Sequence, residues 1–182
     1  SLSYFKELMS VSPIDGRYNS KMSIMQEISS EYALIKLRLE IEVEYFLFLS
    51  EFLPELSGLT RVQKMEIASL KNITLLDVEN IKILETKLNH DVKAVEVYLR
   101  QKFMNIGLKD YINFIHFGLT SQDVNSIAYV TQLWYFKSKM YSQMMNSVLN
   151  TLTDMGEKYK RLVMLSRTHG QAASPTTLGK ER

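Results

Sequence analysis

Ile35-Lys36-Leu37-Arg38-Leu39-Glu40-Ile41-Glu42-Val43-Glu44-Tyr45-Phe46-Leu47-Phe48-Leu49 is the heart of a run whose apolar residues recur in steps of three and four. From Ile24 they fall at Ile28, Tyr32, Ile35, Leu39, Val43, Phe46 and Leu49. That period gathers them on one side of an α-helix, whereas a half-buried strand would need strict alternation. The reading is one long amphipathic helix ending near Pro54. Glu31, Lys36, Arg38, Glu40, Glu42 and Glu44 fall on the opposite face, and the simplest expectation is that water solvates them.

The same period continues downstream. A shorter helix is expected after Thr60, with Val62, Ile67 and Leu70 inward. Leu76 to Phe103 repeats the pattern at Val78, Ile81, Leu84, Leu88, Val92, Val95, Leu99 and Phe103, interrupted midway by Asn89-His90-Asp91. All three interrupting residues favour caps and turns over helix interiors, so the spacing predicts a break there and a second helix launched from it. Asn105-Ile106-Gly107 stops that helix. Gly118 then permits a tight turn into Thr120-Ser121-Gln122-Asp123, which has capping-box spacing with Asp in the place usual for Glu or Gln.

The longest helix follows, to at least Met155, with Val124, Ile127, Val130, Leu133, Met140, Met144, Val148 and Leu152 on one stripe. Trp134-Tyr135-Phe136 point around its axis, so this helix is apolar on several sides and self-association through it is expected. Leu162-Val163-Met164-Leu165 reads as a short buried connection, and Ser174-Pro175 as the start of another helix. No strand, repeat or low-complexity segment stands out, so the fold class is all-α. The first residue is Ser1 and Lys180-Glu181-Arg182 stops in mid-pattern, which leads to the expectation of a partial chain.

Of the 182 residues, 46% are hydrophobic and 23% charged, a balance that excludes a disordered chain. The net charge of +2 comes from scattered Lys and Arg with no basic block, so nucleic acid is not an expected partner. No apolar run reaches the roughly 18 residues of a membrane span, and no leader pattern is read at the start. The absence of cysteine removes disulfide and thiolate chemistry and is compatible with a reducing compartment. Without cysteine, His-x-x-x-His or paired carboxylates at ligand spacing, no metal site is expected, and no glycine-rich phosphate loop follows a strand.

What remains is acid/base chemistry on an anion. The chain has only three histidines, and each stands beside a polar cluster. These are Asn89-His90-Asp91, His116-Phe117-Gly118-Leu119-Thr120-Ser121-Gln122-Asp123 and Ser166-Arg167-Thr168-His169-Gly170-Gln171. Imidazoles move protons near neutral pH, and hydroxyls and helix N-termini hold phosphate or carboxylate. Ahead of the first helix, Ser12-Pro13-Ile14-Asp15-Gly16-Arg17-Tyr18 reads as a shaped turn, with Arg17 a candidate clamp for an anion.

These four motifs, the second extended through Val92-Lys93-Ala94-Val95-Glu96, resemble the adenylosuccinate lyases of the fumarase/aspartase superfamily across nearly the whole chain. The resemblance implies an N-terminal helical domain over 1–111 and, over 112–182, the beginning of a central helical bundle. It implies β-elimination of fumarate from adenylosuccinate to give AMP, and from the succinyl-carboxamide ribotide of purine synthesis, without a cofactor. Residue by residue, His169 is implied as general acid toward the leaving nitrogen, with Thr168 on the substrate and Gln171 in support. Arg17 and Tyr18 are implied as nucleotide contacts, and Asn89, His90 and Asp91 as substrate-binding residues, His90 also as an aid to proton transfer. Thr120 and Ser121 are implied as contacts to an anionic group, with His116 supporting their turn. A cytoplasmic homotetramer with active sites shared between subunits is implied as well.

Two departures stand out. Ala172 occupies a place where the family commonly has proline, and the family's mobile loop carrying the basic serine, Gly-Ser-Ser-x-Met-Pro-x-Lys-x-Asn, is absent from these residues. The polypeptide is therefore expected to be inactive alone. The competing expectations are another lyase of the superfamily, acting on argininosuccinate, aspartate or fumarate, and a non-catalytic helical assembly module.

Overall fold

The computed structural model describes residues 11–181, and they are mainly helical. The chain divides into two compact units, with the division between Trp134 and Tyr135.

The first unit is built on the helix read from the opening stretch, in two pieces. A 3-10 turn at Asn19–Lys21 leads into α1 (Ser23–Ser29), and α2 (Glu31–Leu49) follows. The break comes at Ser30, whose extended backbone and side-chain oxygen cap the second piece by accepting the Ala33 N–H at 3.2 Å. Ala33, Ile35, Leu37, Leu39, Val43 and Phe46 are all buried, so α2 is surrounded rather than laid on a surface. The expectation of a solvated charged face holds at Glu31, Lys36 and Glu44, which are exposed, and fails at two positions: Arg38 is only 3% exposed and Glu42 is fully buried. Their sequence neighbours Leu37 and Ile41 are buried and half-buried, so this side of the helix packs against protein and takes the two charged residues inside with it.

Around α2 pack α3 (Arg61–Ser69), α4 (Leu75–Leu88) and α5 (Asp91–Asn105). Complete capping boxes start α3, from Thr60 and Gln63, and α4, from Thr74 and Asp77. Ile67 faces the core as expected, but Val62 is 66% exposed, because it sits in the first turn beyond the packed face. The Asn89-His90-Asp91 break is where the spacing places it: Asn89 ends α4 in a left-handed conformation, and His90 caps α5. The core runs through Ile35, Leu39, Val43, Phe46, Ile67, Ile81, Leu99 and Phe103. At its centre the rings of Phe46 and Phe103 meet edge to face, 4.8 Å between centroids. Each such side chain contributes about 1.5–3 kcal/mol by leaving water. A 3-10 segment at Lys109–Phe114 and a turn through Gly118 then deliver α6 (Ser121–Phe136).

In the second unit a π-helical turn, Lys137–Tyr141, precedes α7 (Ser142–Tyr159). The helical residues expected up to Met155 are present, though one turn is wound differently. Beyond them the chain is not helical. Strands β1 (Val163–Thr168) and β2 (Gln171–Thr177) form an antiparallel hairpin with Thr168 opposite Gln171 and Val163 opposite Thr177. This corrects two expectations. Val163 is 76% exposed, so the segment is no buried connection, and Ser174-Pro175 starts no helix. Pro175 instead lies opposite Leu165 in a two-stranded ribbon, where every strand is an edge and a missing N–H is tolerated. His169 and Gly170 both have positive φ, 53° and 76°, the arrangement that matches a two-residue turn to the twist of its strands.

Asp77 ties α4 to α5 as well as capping. Its carboxylate accepts the Thr74 N–H at 2.9 Å and hydroxyl at 2.8 Å, the Tyr98 hydroxyl, and the Lys102 ammonium at 3.1 Å. The Tyr98 bond, then those from Thr74 and Lys102, hold Asp77 far below the usual carboxylate range despite some burial. Burial and the same carboxylate push the Tyr98 hydroxyl up to about 12. A depressed carboxylate stabilises the fold above its unfolded pKa and loses that contribution as pH falls. Asp77→Ala is expected to cost about 2 kcal/mol in urea unfolding at pH 7. The difference from wild type should shrink below about pH 4, where the unfolded carboxyl takes its proton; a pH-independent difference would contradict this.

Candidate functional site

Within the first unit, the start of α5 and the turn before α6 line one cleft. His90, Lys93 and Glu96 form one wall, and His116, Leu119, Thr120 and Ser121 the other. Two of the three polar clusters found in the sequence therefore meet.

His90 is placed by its capping role. Its Nδ1 accepts the Lys93 N–H at 3.1 Å, so a neutral ring carries its proton on Nε2, which lies 3.3 Å from the Ser121 hydroxyl. One imidazole thus joins the first turns of two helices. Next to it, Asp91 accepts its neighbour Val92 N–H at 2.8 Å and pairs with Arg38 at 2.7 Å. Partial burial pushes the Asp91 carboxyl up, but the Val92 N–H and the guanidinium outweigh it and leave the group below its ordinary range. Arg38 also donates from Nε to Asn125 of α6 at 2.9 Å. One turn further along α2, Glu42 bonds through Oε1 to Nδ1 of His116. His116 is 15% exposed. The other oxygen of Glu42, Oε2, is buried with no hydrogen-bond partner among the described residues. Burial raises the Glu42 carboxyl above its usual range, against the opposing pull of His116.

Charge inside the cleft is balanced by α5. Glu96 is nearly buried and takes both Lys93, at 2.9 Å, and Arg100, also at 2.9 Å. Thr120 and Asp123 close the turn into α6, the carboxylate accepting the Thr120 N–H at 2.7 Å and hydroxyl at 2.9 Å. Those two bonds hold Asp123 below the ordinary carboxylate range. The Thr120 hydroxyl is therefore engaged within the cap, and Ser121 is the hydroxyl that faces His90.

The remaining sequence-derived residues stand apart from this cleft or in the other unit. Asn89 is exposed at the α4 end. The Ser12–Tyr18 turn forms as read: Asp15 accepts the Ser12 hydroxyl at 2.7 Å, a bond that lowers its pKa, and Arg17 stacks over the Tyr18 ring at 5.2 Å. No hydrogen bond joins Arg17 or Tyr18 to the cleft residues. Thr168, His169 and Gln171 form the exposed tip of the hairpin in the second unit. Among the described residues, the non-glycine positions with positive φ are Asn89, His116 and His169. All three were singled out from sequence, and backbone held in that region tends to collect at binding and catalytic sites. Among the described residues no cluster of His, Cys, Asp or Glu could hold a metal ion.

A family model described as Lyase matches residues 16–182. The chain is 42% identical to the adenylosuccinate lyase of Dictyostelium discoideum over 182 residues, 96% of this chain and 39% of that protein. It is similar at 39% identity to that of Legionella pneumophila strain Corby and at 34% to that of Escherichia coli K12. In each case 96% of this chain aligns with 39% of the relative, so the chain spans about two fifths of the length of the curated relatives it matches.

Sequence reasoning missed Arg38 and Glu42 as parts of the site. The available signal is that both have apolar residues on either side in sequence, Leu37 and Leu39 around Arg38 and Ile41 and Val43 around Glu42. Their burial gives an asymmetric expectation. Removing Asp91 takes the counter-charge from a guanidinium that is 3% exposed and leaves it the neutral Asn125 bond, whereas removing Arg38 frees a carboxylate that is 43% exposed and can rehydrate. Asp91→Ala should therefore cost about 3 kcal/mol in chemical denaturation and Arg38→Met nearer about 1 kcal/mol. The reverse order would contradict the assignment of Arg38 as the buried partner.

Proposed function

From the premise that this chain belongs to the lyase family, whose model covers residues 16–182, we propose that the full-length protein cleaves adenylosuccinate to AMP and fumarate. The analogous cleavage of the succinyl-carboxamide ribotide in purine biosynthesis belongs to the same reading. The observation that carries it is the meeting of His90, His116, Thr120 and Ser121 in one cleft, in a chain 42% identical to an adenylosuccinate lyase.

In β-elimination a proton leaves the carbon beside a carboxylate, the C–N bond breaks, and the nitrogen departs with a proton. His169 supplies that last proton, with Thr168 against the substrate and Gln171 supporting the hairpin tip. His169 sits at the two-residue turn of the hairpin and is exposed. Asn89, His90 and Asp91 bind substrate, and His90 assists proton movement through the nitrogen it offers Ser121. Ser121 and the start of α6 receive an anionic group, where N–H donors and the helix dipole favour negative charge. Thr120 shapes that turn through Asp123 as much as it contacts ligand. Arg17 and Tyr18 bind the nucleotide. The base that takes the carbon-bound proton lies outside these residues.

The enzyme acts as a cytoplasmic homotetramer whose sites draw on more than one subunit. Supporting this, Ile127, Val130 and Leu133 of α6 are exposed, as are Met144, Val148, Leu149 and Leu152 of α7, an extent of apolar surface that favours a partner. No helix among the described residues is long and apolar enough to cross a membrane.

General acids contribute typically about 10²–10⁴ in rate, so His169→Ala in the full-length protein should lower fumarate release by at least about a hundredfold. AMP should still bind by titration calorimetry; retained turnover would reject the acid assignment. Light scattering should show an oligomer that Val130→Asp weakens, and a stable monomer of wild type would reject the assembly.

A further inference from the structure

The pair formed by Glu42 and His116 has no part in the reaction as described, yet it is the most deeply buried charged contact beside the cleft. Glu42 is fully buried on α2, one helical turn from Arg38, and the His116 ring spans from it to the cleft wall. With Nδ1 turned to the carboxylate, Nε2 is the ring nitrogen left for the cleft. His116 also holds positive φ, 61°, a conformation unfavourable for a residue with a Cβ and kept only where surroundings fix it.

We propose that Glu42 is a positioning residue: its buried carboxylate accepts the Nδ1–H of His116 and fixes the ring so that, in the imidazolium form, Nε2–H is presented to an anionic group of the ligand. A carboxylate behind an imidazole fixes its orientation and stabilises the imidazolium, and a charge-assisted bond to an anion is stronger than a neutral one. The identity of that anion as a phosphate or carboxylate of AMP or adenylosuccinate rests on the proposed function; the dyad itself rests on the geometry.

The groups around the pair suit this role. From α5, Glu96 faces Glu42, its own charge met by Lys93 and Arg100. From α6, Asp123 faces His116. On α2, Arg38 is engaged by Asp91 and Asn125, and the Tyr45 hydroxyl donates to the Phe117 carbonyl at 2.9 Å, anchoring the same turn. Among the described residues, the donor that meets Glu42 is His116 alone, its second oxygen being unpartnered.

The test uses the full-length protein and two readouts. Long-range proton–nitrogen spectra of the ligand-free wild type should show His116 protonated at Nδ1; a ring protonated only at Nε2 overturns the dyad, whatever AMP does. Glu42→Gln keeps shape but not charge. It should weaken AMP binding roughly tenfold and raise KM with little change in kcat. Equal AMP affinity of Glu42→Gln and wild type overturns the inference. Should wild type bind no AMP, the proposed function fails, while the spectra still decide the dyad; they decide it also if Glu42→Gln does not fold.

Discussion

Two opposite charges one turn apart inside an apolar helix set the constraint on which the rest of the first unit depends. Neither Arg38 nor Glu42 can be hydrated in α2, so each must be met by protein groups. The groups that meet them are Asp91 at the start of α5, Asn125 on α6 and His116 in the turn before α6. Satisfying these charges fixes where two helix N-termini lie, and their juxtaposition is the cleft. A hydrophobic pair at positions 38 and 42 would serve stability as well or better, since desolvating ions is costly. What the charged pair adds is direction: it selects which face of each neighbour turns inward.

Local backbone chemistry completes the arrangement. His90 caps a helix and thereby commits one ring nitrogen, leaving the other for Ser121. His116 and His169 each sit at positive φ beside a glycine-permitted turn, near Gly118 and Gly170. Three imidazoles are thus offered by three devices, a helix cap, a buried carboxylate and a hairpin tip. None depends on a long side chain searching for its place, so little conformational entropy remains to be lost on binding.

The helices were legible because their signal is local. Steps of three and four marked α2, α4 and α5, and three consecutive cap-forming residues marked the break at Asn89 to Asp91. The interruption at Ser30 was hidden because the apolar period runs through it undisturbed. Burial of Arg38 and Glu42 was hidden for a different reason: it depends on neighbours far along the chain, such as Asn125 and His116, and periodicity reports only one helix at a time. The hairpin is hidden because Ser174-Pro175 satisfies a helix-start rule as well as it satisfies an edge strand, and the polar crowding around His169-Gly170 masks a two-residue turn. The site clusters at His90 and His116 to Ser121 were found from composition alone, since polar groups crowd together there without an apolar stripe to explain them.

The most direct measurement is a crystal structure of the full-length protein with AMP bound. The account predicts an anionic group of the ligand within hydrogen-bond distance of His116 and Ser121, with Arg38 and Glu42 still buried behind them and His116 bonded to Glu42 through Nδ1. A ligand seated elsewhere, or a Glu42 carboxylate turned out to water or to the ligand itself, would contradict it.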